Sequence, residues 1–165
     1  MVMRVVLVAT LVLTALAVAD VLRRDTLAPG TTTVYLLLFT LLFVLRVAAQ
    51  VFVVLRAPAW LPPMSEWHLL PYRLLLPIQL VFAAVLTTIA AGTASDRGPL
   101  AEQHPTFGRF LIGLSGVYAG SMIVRYAVRM RRRPDERWFG GAIPIVFHLV
   151  LAAYLLTWGR YHVQG

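Results

Sequence analysis

The chain of 165 residues has no cysteine and no lysine. Without cysteine there are no disulfides, no thiolate nucleophile and no cysteine-bound zinc or iron–sulfur centre. Without lysine the whole basic set is arginine, which fits a GC-rich bacterial genome. Charge is scarce as well. Only 13% of residues are charged, against about 25% in a soluble domain whose surface faces water. Too few charges exist to cover such a surface, and with 59% hydrophobic residues and a mean hydropathy of +0.77 much of the exterior must face lipid. The formal charge of +8 lies mostly beside apolar stretches. It reads as a determinant of orientation and of contact with anionic headgroups, not as a nucleic-acid surface.

Crossing a hydrocarbon core of ~30 Å takes roughly 20 apolar residues as a helix. Five stretches meet that need, at about 5–22, 33–55, 74–94, 107–130 and 139–158. No alternating strand pattern competes with them, so a closed barrel is not expected. The sequence therefore predicts an all-α integral membrane protein. Residues 1–165 form one bundle of about five transmembrane helices with a Pro/Trp-rich interfacial loop. Arg4 followed by an apolar run and Ala17-Val18-Ala19 also fits a cleaved signal peptide, but a retained membrane helix is the expected form.

The segment from Arg129 to Arg137 is the densest basic stretch and is expected on the cytoplasmic side of a bacterial inner membrane. Counting back through the spans puts the N-terminus inside and the C-terminus outside. Arg23, Arg24, Arg97 and Arg109 fall on the outer side and oppose this assignment. Between Arg56 and Pro71 four prolines forbid a continuous helix, while Trp60 and Trp67 suit the headgroup layer. No internal repeat is visible, which weakens a transporter built from inverted halves.

Arg46 and Gln50 are four residues apart in the second stretch and so share a helical face. A charge at that depth costs about 2.5 kcal/mol or more, so Arg46 must face protein, water or a partner. No acidic residue lies in the interior of any span. Glu66 in the interfacial loop is the best counter-charge within the chain; a lipid phosphate, an anionic ligand or another subunit's carboxylate are the alternatives. Arg46 capping helix carbonyls or snorkelling to the interface is the plainer reading. Gln79 in the third stretch is expected at the same depth, where the three side chains could bind a quinone carbonyl or a headgroup. They could equally pin helices together through hydrogen bonds worth ~0.6 kcal/mol each.

His148 lies near the centre of the fifth stretch, one turn after Pro144, whose missing backbone N–H invites a kink. Such a histidine can ligate haem, relay protons, donate to a quinone or simply pack. His162 follows fourteen residues later, within ~40° of the same face. This spacing resembles the histidine pairs that hold two haems in cytochrome b bundles. That resemblance implies a matching pair on a second helix, which the sequence lacks, so haem is not the expected cofactor. No metal-ligand spacing, catalytic triad or glycine-rich phosphate loop is readable. In the fourth stretch Gly116 and Gly120 form a GxxxG pair that Gly113 extends, a pattern for close helix packing in lipid. Trp138, Trp158 and Tyr161 bracket the fifth stretch and are expected as interfacial anchors.

These features together predict a non-catalytic accessory or structural subunit of a larger membrane complex, respiratory or photosynthetic among the options. It would contact membrane lipids and other membrane subunits or a second copy of itself, and no nucleic acid. A quinone- or haem-binding redox protein, with Arg46, Gln50, Gln79 and His148 lining the site, is the alternative. A small transporter or channel is the third reading.

Overall fold

A computed structural model describes residues 2–56, 72–95, 100–132 and 142–164. Among these residues all regular structure is helical: α1 Val2–Arg23, α2 Pro29–Arg56, α3 Tyr72–Ala94, α4 Pro105–Arg132 and α5 Ala142–Val163. Each helix is long and apolar enough to cross a membrane. At 1.5 Å per residue the 28 residues of α2 and of α4 reach about 42 Å, beyond the ~30 Å hydrocarbon thickness. α1 runs unbroken through Ala17-Val18-Ala19, with Ala17 and Val21 buried. Glu66, Trp60, Trp67 and the basic run from Arg133 to Arg137 lie outside the described residues.

Several helix ends differ from the hydropathy spans for identifiable reasons. α2 and α4 start earlier, at Pro29 and Pro105. Proline is well suited to the first helical position, where its missing N–H has no intrahelical partner to lose. α4 also runs past Met130 to Arg132, since arginine propagates a helix well even where hydropathy has fallen. α5 extends to Val163 rather than stopping at Trp158. Residues 139–141 of its expected start lie outside the described residues.

α5 is the axis of the bundle. Most of its length is buried, whereas α3 and α4 expose most of theirs. It packs against α4, α2 and α1, while α3 lies chiefly against α2. The apolar core joins Leu36, Phe39, Phe43 and Val47 of α2 to Val146, Val150, Ala153 and Tyr154 of α5. Tyr154 donates its hydroxyl to the Leu86 carbonyl at 2.7 Å and so ties α3 to the axis.

The aromatic end of α5 corrects one expectation. Trp158 and Tyr161 look like interfacial anchors in the sequence, yet both are buried inside the bundle. Phe107 of α4 meets Trp158 edge to face at 5.3 Å. Tyr161 donates to the Ala101 carbonyl at 2.6 Å, a partner supplied by the segment that leads into α4. Trp138, the third expected anchor, is outside the described residues.

Candidate functional site

Two faces of the fold carry the residues singled out by the sequence: a polar cluster where α2, α3 and α5 meet, and the glycine stripe of α4.

In the polar cluster Gln79 donates its amide to Gln50 Oε1 at 3.1 Å across the α2–α3 contact. Both side chains are buried, as is Arg46 one turn from Gln50 on α2. The structure thus joins Gln50 and Gln79 directly, with Arg46 one turn along α2 from Gln50. That bond uses only part of their capacity. Gln50 Nε2 and Gln79 Oε1 are both buried with no hydrogen-bond partner among the described residues. A donor and an acceptor left together in a medium of low dielectric are costly unless something meets them.

His148 enters from α5. Its Nδ1 donates to the Pro144 carbonyl one turn back, the carbonyl of the proline expected to open the helix. This fixes the proton on Nδ1 and leaves the Nε2 lone pair as acceptor or ligand. The ring tilts against Tyr118 of α4, with centroids 5.7 Å apart. Arg46 and Arg125 both act on His148 electrostatically, so a cation of α2, a cation of α4 and an imidazole converge here. The acidic residues among the described positions, Asp20, Asp25 and Glu102, belong to the opposite end of the bundle.

His162 lies towards the other end of α5 from His148. Its Nδ1 accepts the His104 backbone N–H at 3.2 Å. Phe107, Trp158 and Tyr161 surround the ring at centroid distances of 5.3, 5.1 and 5.4 Å. A ring boxed in this way has no open edge for an iron porphyrin, so the likeness to a cytochrome b pair stops at the spacing. Among the described residues no group of three or more histidines and carboxylates could hold a metal ion.

The glycine stripe of α4 meets none of the other described helices. A Cβ placed on Gly113, Gly116 or Gly120 would meet no atom within 4 Å. The contact of α4 with α5 is built from other small residues, Gly108 and Ser115 on α4 with Gly159 and Ala152 on α5. Ser115 donates to the Ala152 carbonyl at 2.7 Å. At ~100° per residue, the Gly113–Gly116–Gly120 face is turned by roughly 120° from the Gly108–Ser115 face.

A third cluster escaped the sequence reading. Asp20 accepts from Arg24 at 2.5 Å and also from the Tyr35 hydroxyl, joining α1 to α2. Arg160 donates to the Arg24 carbonyl at 2.7 Å, and Gln164 accepts the Leu27 N–H at 2.7 Å, which bring in α5. The only signal in the sequence was an acidic residue at the end of an otherwise apolar span. The contacts that complete the cluster span up to 137 positions, as between Leu27 and Gln164, and share no motif.

Comparison of the chain with protein-family models, with curated proteins and with solved structures finds no match to any of them.

Proposed function

We propose that this chain is a non-catalytic accessory subunit of a larger bacterial membrane complex. In this reading it sits in the inner membrane with its N-terminus cytoplasmic and its C-terminus outside, and it acts through contact with partners and lipid. The observation that carries the proposal is the second small-residue face of α4. Helix pairing in lipid gains little from apolar burial, because the tails are as apolar as leucine. Close approach over small side chains supplies the attraction instead. α4 uses one such face against α5 within its own chain and turns another outward. A helix with a spare packing face fits a protein that completes its contacts with another subunit. The two cations Arg46 and Arg125, both acting on His148, supply a place where an acidic residue of that subunit or a lipid phosphate is favoured.

Purification in mild detergent, with identification of every co-purifying chain, tests this reading. The expected result is a defined partner, or a defined homo-oligomer, that is retained by the wild type and lost from the Gly116→Leu variant. A monomer without partners across several mild detergents would contradict it.

A second reading is favoured by one specific observation, the buried Gln50 Nε2 and Gln79 Oε1 that no described residue meets. A quinone presents carbonyl oxygens that accept from such an amide, and a quinol hydroxyl can donate to the other. An absorption spectrum and solvent extraction of the same preparation decide it. Stoichiometric quinone, or a dithionite-sensitive Soret band, supports the redox reading. A colourless preparation without quinone counts against it.

A further inference from the structure

A cleft of about 260 Å³ opens between α1 and α4 over the first turns of α5. Leu7 and Leu11 of α1, Ile123 and Tyr126 of α4, and Ile145 and Leu149 of α5 line it. Apart from Tyr126, with its aromatic ring and single hydroxyl, every one of these side chains is aliphatic, so the cleft offers almost nothing to a polar ligand along its length. Charge appears only where it opens towards the helix ends. Arg4 precedes Leu7 by three residues and Arg129 follows Tyr126 by three, so each arginine extends its lining face by one turn. The two helices run in opposite directions, so Arg4 near the start of α1 and Arg129 near the end of α4 stand at the same end of the bundle.

This pattern matches one kind of occupant: a molecule with a long apolar tail and a single anionic head. We propose that the cleft holds an acyl chain of an anionic phospholipid, with its phosphate between Arg4 and Arg129. Guanidinium groups suit a phosphate because their N–H donors form a planar fork that engages two oxygens at once. The wider charge of this end favours an anionic over a zwitterionic lipid. The N-terminal segment 1–4, the 56–73 connection and the 129–141 connection hold eight arginines (4, 56, 73, 129, 131, 132, 133, 137) against three acidic residues (66, 135, 136). The opposite connections hold five arginines (23, 24, 97, 109, 160) against four acidic residues (20, 25, 96, 102). The excess is thus five charges at the cleft end and one at the other. Tyr126 suits the boundary itself, with its ring along the tail and its hydroxyl towards the head.

The inference rests on the membrane-spanning reading of the five helices and not on the presence of a partner subunit. Its test is the full-length chain reconstituted in nanodiscs of equal parts phosphatidylglycerol and phosphatidylcholine, then stripped stepwise with detergent and weighed by native mass spectrometry. The wild type is expected to keep one phosphatidylglycerol per chain at least tenfold over phosphatidylcholine. The Arg4→Gln/Arg129→Gln double variant is expected to lose that preference. Leu11→Trp, which fills the cleft and leaves both arginines in place, is expected to lose the retained lipid. Equal retention of the two lipids by the wild type overturns the inference, as does a retained peptide in place of lipid. That first arm needs no variant, so a failure of either variant to fold leaves the decision intact. A chain that stays dispersed in water without detergent and keeps neither lipid overturns the membrane reading as well.

Discussion

Gly108 on α4 and Gly159 on α5 bring the two helices together backbone to backbone. A Cβ on Gly108 would stand 2.7 Å from the Gly159 carbonyl oxygen, and one on Gly159 would stand 2.9 Å from the Gly108 carbonyl oxygen. Backbone faces backbone, so no flexible side chain can move aside. We predict that Gly108→Ala and Gly159→Ala each cost about 1–3 kcal/mol through overpacking, and that leucine at either position disrupts the α4–α5 pair. Unfolding in mixed micelles checks this. Wild-type stability of both alanine variants would refute the contact.

The amide pair gives a different kind of prediction. Gln79 and Gln50 share one hydrogen bond, so removing either side chain strands the other in the bundle. The Gln50→Leu/Gln79→Leu double variant should therefore be no less stable than the worse single variant. The coupling from a double-mutant cycle should fall near the ~0.6 kcal/mol average, and below ~1.7 kcal/mol, found for interhelical bonds in membranes. Strict additivity of the two single changes would mean that the amides do not interact.

Tyr154→Phe removes the hydroxyl that reaches the Leu86 carbonyl and keeps the ring that fills the core. The expected loss is about 1 kcal/mol, with faster hydrogen exchange of α3 around Leu86. α3 depends on this bond because it otherwise lies chiefly on α2. Unchanged exchange in α3 together with unchanged stability would contradict the tie.

Asp20→Asn should matter little despite the short contacts. The Asp20 and Arg24 side chains are each nearly half exposed, and an exposed ion pair is screened by water and salt. Equilibrium unfolding of the variant in detergent is expected to be close to that of the wild type. A large loss would mean that the bond to Tyr35, and not the ion pair, holds α1 to α2.

The fold was legible because the five apolar runs are long and uninterrupted, and hydropathy over such lengths admits few alternatives. Which helix forms the axis was not. The hydropathy of α5 falls between that of α4 and those of α1, α2 and α3, so it does not stand out, and its central place follows from packing that no single span encodes. Gln50 and Gln79 could be matched by depth, since both lie in apolar surroundings where an amide is conspicuous. The intramolecular seam was missed because GxxxG spacing drew attention to Gly116 and Gly120. The pairs that form it, Gly108 with Ser115 and Ala152 with Gly159, recur at seven residues. They face one another in antiparallel order, 108 opposite 159 and 115 opposite 152. A search for small residues seven apart on two successive helices would have found them. Trp158 and Tyr161 were misjudged for a related reason: an aromatic residue near a helix end looks the same in sequence whether it meets headgroups or the next helix.

The most direct test of the proposed role uses the absence of native cysteine. The Gly116→Cys variant carries a single thiol on the outward face of α4, and Leu16→Cys carries one on an exposed face of α1. Each is labelled in native membranes with a maleimide–diazirine reagent and irradiated. If α4 docks against a partner, the label at position 116 gives a discrete protein adduct. That adduct contains the same chain that co-purifies with the wild type, or a second copy of this one, and the label at position 16 gives none. Lipid adducts alone at both positions would contradict the account and leave α4 facing the bilayer.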